Sequence, residues 1–75
     1  MNGGRPLKRS LTISGHRTSI SLEVAFWEAL KALAAAEHLS LAEVITQIDS
    51  ARGEAGLSSA IRVYLLARAR GGGIA

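Results

Sequence analysis

Few residues of this chain could make or break bonds. It has no cysteine, and its histidines are His16 and His38 alone. Their separation does not match a zinc-ligand pair. The six carboxylates are scattered along helix-like segments, with no two converging as an acid–base pair. The glycines at 3–4 and 71–73 lack the strand, loop and helix of a phosphate loop. No nucleophile–base pair emerges, so the chain reads as a non-enzyme that needs neither metal nor cofactor. Binding chemistry is better served. Arg17, Ser19 and Ser21 alternate along Arg17-Thr18-Ser19-Ile20-Ser21-Leu22, with Thr18, Ile20 and Leu22 on the opposite face. Arginine reads guanine edges, and serine hydrogen-bonds to several bases. Lys8, Arg9 and His16 lie just upstream and can neutralise phosphates.

Charge is unevenly placed along the chain. Residues 1–22 hold Arg5, Lys8, Arg9 and Arg17 and no acid, whereas residues 23–54 hold all six acids against Lys31 and Arg52. The basic N-terminal part favours a polyanionic partner.

A strand cannot stand alone, and no equally clear strand follows residues 17–22. The simplest partner is the same strand of a second chain, giving a ribbon of the width a DNA major groove admits. Composition agrees. At 75 residues and 48% hydrophobic, the chain holds more apolar material than so small a monomer hides comfortably. Dimerisation is the cheap remedy without disulfides. The short alternating stretch Leu11-Thr12-Ile13 is out of phase with residues 18–22, since its apolar positions are odd and theirs even. It either folds back on 17–22 or forms an arm that docks elsewhere.

Three helices should follow. Helix A spans 23–38, with a stripe of Phe26/Trp27, Leu30, Leu33 and Ala34. Helix B spans 41–51 and opens on a capping box, Ser40-Leu41-Ala42-Glu43, with Leu39 and Val44 as a hydrophobic staple. Its core stripe is Leu41, Val44, Ile45 and Ile48. Helix C spans 58–70 and turns Ala60, Ile61, Tyr64 and Leu65 to one side. Residues 1–7 read as a disordered basic arm, and 71–75 as a flexible tail. The expected dimer core is Ile20, Leu22, Trp27, Leu30, Leu33, Val44, Ile45 and Ile48. No apolar run approaches the roughly 18 residues of a membrane span, and no signal-peptide core opens the chain. The expectation is a cytoplasmic protein.

Lys8-Arg9-Ser10-Leu11-Thr12-Ile13, His16-Arg17-Thr18-Ser19-Ile20-Ser21-Leu22-Glu23, Phe26-Trp27 and Leu57-Ser58-Ser59-Ala60-Ile61-Arg62 together resemble the ribbon-helix-helix superfamily, the class of the Arc and methionine repressors. More narrowly, they resemble small bacterial members with an added third helix. The resemblance covers roughly residues 8–70. It implies a mainly α fold with one short β-strand, an intertwined homodimer with an intermolecular two-stranded antiparallel ribbon, and a C-terminal helix. It implies base contacts from Arg17, Ser19 and Ser21, and a phosphate held by backbone amides of Ser40, Leu41 and Ala42. The implied function is a DNA-binding transcriptional regulator, sequence-tolerant or moderately specific because two reader positions are serines. The alternative is a homodimeric protein-interaction module, or an antitoxin-like binder that takes a protein partner through helix C.

Overall fold

The computed structural model describes residues 4–71. Its elements run β1 (Pro6–Ile13), β2 (His16–Glu23), α1 (Val24–Ala36), α2 (Leu41–Ala51) and α3 (Leu57–Ala69). The two strands form one antiparallel sheet. The order of ribbon, helix, helix and added C-terminal helix is the one the sequence implies.

The partner of β2 differs from the expectation. β2 pairs with β1 of its own chain, from Pro6 opposite Glu23 to Ile13 opposite His16. Ser14 and Gly15 make the turn with φ of 53° and 83°. Positive φ at both central positions is what a type I′ hairpin needs, because its twist matches that of the strands. The phase mismatch follows directly. Residues paired across this turn have one odd and one even number, so Leu11 and Ile13 share a face with Thr18, Ile20 and Leu22. The chain thus contains two strands, and the ribbon seen here is intrachain. Order also begins earlier than expected, since Pro6 and Leu7 lie in β1. Residues 1–3 of the expected arm and 72–75 of the expected tail lie outside the described residues.

The inner face of the hairpin packs on all three helices. Ile13, Ile20 and Leu22 join Trp27, Leu30 and Ala34 of α1, Val44, Ile45 and Ile48 of α2, and Ile61 and Leu65 of α3 in one buried cluster. Seven of the eight residues expected at a dimer core are therefore buried within a single chain, and Leu33 is partly buried against them. Two features account for this burial within one chain. β1 and α3 supply walls that a shorter ribbon-helix-helix chain would lack. Much of the apolar composition is also alanine, and Ala25, Ala29, Ala32 and Ala36 form an exposed stripe on α1. Alanine favours helix without demanding burial.

Local chemistry fixes the helix ends. Glu43 N donates to the Ser40 hydroxyl at 3.0 Å, and Ser40 N donates to Glu43 Oε1 at 2.7 Å, completing the capping box. α1 ends in a Schellman motif: Leu39 N donates to Ala34 O at 2.9 Å and His38 N to Ala35 O at 3.2 Å. His38 occupies the left-handed position, with φ 58°. Glycine holds that conformation without a Cβ clash. The variant His38→Gly should therefore gain about 0.5–1 kcal/mol of stability, measured as a higher urea midpoint at unchanged slope. A lower midpoint would mean that the imidazole makes a contact worth more than the strain.

Candidate nucleic-acid interface

The alternation of β2 turns Arg17, Ser19 and Ser21 away from the core, while Ile20 and Leu22 are buried. The register places a second row beside them. Thr12 stands opposite Arg17, Ser10 opposite Ser19, and Lys8 opposite Ser21. Directly opposed residues share a face, so the outer face of the hairpin carries six polar side chains and no acid along 8–12 and 17–21. The two rows touch. Arg17 Nη1 donates to Thr12 Oγ1 at 3.2 Å, and the Ser10 and Ser19 hydroxyls lie 3.4 Å apart. Ser10 and Thr12 were not among the residues singled out from sequence. The signal that finds them is the odd–even pairing across Ser14-Gly15, once the fold-back is accepted.

The expected phosphate-contacting residues separate. Lys8 belongs to the outer face. Arg9 lies on the other, opposite Ile20, and its guanidinium sits 5.4 Å from the Trp27 ring centroid. His16 is exposed beside the turn, opposite Ile13. At the start of α2 the capping box occupies the amides of Ser40 and Glu43. It also sets the Glu43 carboxylate at the positive end of the helix, where it competes with an incoming anion. Of the three residues expected there, Leu41 and Ala42 keep amides outside the box.

The remaining cations are mostly committed. Lys31 pairs with Glu28, Arg52 with Asp49, Arg62 with Glu23 and Arg68 with Glu37. Among the described residues, Arg5, Lys8, Arg9, Arg17 and Arg70 have no carboxylate in ion-pair range, so four of the five uncompensated cations collect on the hairpin and the segment leading into it.

Two of these pairs fasten α3. Arg62 Nε and Nη2 reach the two Glu23 oxygens at 2.9 and 3.2 Å, and the guanidinium also lies 5.8 Å from the Phe26 ring centroid. The hydrogen bond from Arg62 holds the Glu23 carboxyl below its usual range. The Glu37 carboxylate raises the pKa of Arg68 by accepting its hydrogen bond. α3 is therefore tied to the end of β2 and to α1. Between α2 and α3 runs an apolar groove of about 500 Å³, bordered by Ile48, Ala51, Ala60, Val63 and Tyr64. Among the described residues, no group of three or more metal-ligating side chains occurs, and no helix is long and apolar enough to cross a membrane.

A family model for the ribbon-helix-helix domain matches residues 6–69. The chain belongs to the ribbon-helix-helix family. Domains of this family are generally DNA-binding transcription regulators, typically homodimeric, on a non-enzymatic fold. No curated protein and no solved structure matches the chain.

Proposed function

We propose that the chain is a homodimeric DNA-binding regulator of the cytoplasm that addresses the major groove with the outer face of its sheet. One observation carries the reading: along 8–12 and 17–21 the outer face of the hairpin joins arginine, lysine and four hydroxyls without an acid, while most cations of the helical part are paired with carboxylates. Arg17 is the base reader, with Ser19 and Ser21 beside it. Lys8 on the same face supplies a phosphate contact beside them, with His16 at the turn; Arg9, on the opposite face over Trp27, and the start of α2, guarded by Glu43, supply none.

The second copy has a natural place to join. The turn is closed by Ile13 and His16, and antiparallel pairs alternate between bonded and non-bonded. The peptide groups of Arg17, Ser19 and Ser21 therefore point to the outer edge of β2. The outer edge of β1 is guarded instead, because Pro6 has no N–H to offer there and Lys8 adds charge. β2 to β2 pairing puts both reader rows at the centre of a four-stranded sheet. Sedimentation equilibrium at micromolar concentration should give a dimer, and a well-folded monomer would defeat this assembly.

The functional test is selection of bound duplexes from a random library, followed by anisotropy titrations. Arg17→Ala should weaken binding and relax one base preference, by about 1–3 kcal/mol of discrimination. An intact dimer whose affinity and preference ignore Arg17→Ala would show that residues 17–21 do not read bases. The second reading, a protein-interaction module using α3, draws on the apolar groove and on Val63 and Leu66, which are 64% and 55% exposed. It predicts no duplex affinity even at low salt.

A further inference from the structure

We infer that β1 is a phosphate-contacting strand, with Lys8, Ser10 and Thr12 running along the sugar–phosphate ridges while the row of Arg17, Ser19 and Ser21 faces the bases. This rests on the DNA-binding reading above and assigns the two rows of its face different tasks.

The first argument is width. Strands lie about 4.8 Å apart, so four of them place the outer two about 14 Å from each other. A major groove about 12 Å wide admits two strands and not four. With β2 and its copy at the centre, each β1 must lie over a groove rim. The second argument is chemistry. The β1 row is a lysine and two hydroxyl residues, side chains that commonly meet phosphate oxygens. Lys8 has no carboxylate in range among the described residues, so its charge is available. The third is the link between rows. Thr12 Oγ1 accepts from Arg17 Nη1, and Ser10 meets Ser19, so a strand seated on the backbone also steadies the readers beside it.

The test uses the full chain, a panel of duplexes of unrelated sequence and a salt series. Lys8→Ala removes one charge from each rim, and Ser10→Lys adds one. Each phosphate contact contributes about 0.9 to the slope of log affinity against log salt. Lys8→Ala should therefore flatten the slope by about 2 per dimer, and Ser10→Lys should steepen it by about 2. Both should leave the rank order of duplexes unchanged. A changed rank order with Ser10→Lys would overturn the inference, because β1 would then lie inside the groove and the hairpin of one chain would be the inserted ribbon. Unchanged slopes in both variants would overturn it as well, because the row would face away from DNA. If Arg17→Ala still alters preference in that case, the DNA-binding reading survives and only the role of β1 fails. A wild-type dimer with no affinity for any duplex would remove both.

Discussion

Trp27→Ala is expected to leave the chain largely unfolded at room temperature. Trp27 is 2% exposed and sits at the junction of α1 with the hairpin. Its Nε1–H donates to the Leu7 carbonyl at 2.8 Å, and Arg9 covers its ring. Truncating a buried tryptophan costs about 3–5 kcal/mol, while small domains hold only about 5 kcal/mol at the lower end. No neighbouring element can collapse into the gap without dragging β1 from its place. Urea denaturation followed by circular dichroism measures the loss. Trp27→Phe separates the causes, since it keeps a ring in the core and removes the hydrogen bond, at about 0.5–1.5 kcal/mol. A Trp27→Ala variant that melts within a few degrees of wild type would mean that the indole is not a core element in solution.

Removal of α3 by truncation after Gly56 should be nearly as damaging. Ile61 is fully buried and Leu65 almost so, at 0% and 7% exposure. Burial of each large apolar side chain is worth about 1.5–3 kcal/mol before the entropy of ordering is subtracted. Truncation also uncovers the surfaces of α1, α2 and β2 beneath them, and frees Glu23 and Glu37 from their arginines. The truncated chain should lose its cooperative thermal transition or aggregate. Should it remain soluble and equally stable with unchanged DNA affinity, α3 would be a detachable element, and the partner-binding reading would gain the lead.

Sequence made some parts of this molecule plain and hid others for physical reasons. α2 was legible to the residue because Ser40 and Glu43 form a cap from local chemistry, and Val44, Ile45 and Ile48 repeat at helical spacing. The outward row of Arg17, Ser19 and Ser21 was legible because alternation in β2 is strict. β1 was harder. Its turn residues are Ser14-Gly15, and serine is not the residue that usually advertises positive φ at the first turn position. Its N-terminal half is exposed on both faces, and Arg9 occupies an inward-facing position because the Trp27 ring accepts its guanidinium. Without β1, the outer face looked like one row of three residues, and the core looked too large for a single chain. Which residues lie near the start of α2 was clear from the capping box. That the same box puts a carboxylate there follows equally from Glu43, and it counts against an anion site.

The odd–even pairing of the hairpin also constrains how such a chain can vary through descent. An extra residue at Ser14-Gly15, if the two-residue turn were kept, would slide β1 by one position against β2. Lys8, Ser10 and Thr12 would then turn toward the core, and Leu11 and Ile13 toward solvent. A bulge can absorb a single insertion, but only by bending the strand. A lineage that gained one residue here should therefore carry either a three-residue turn with its own left-handed residue or a compensating bulge within β1 or β2.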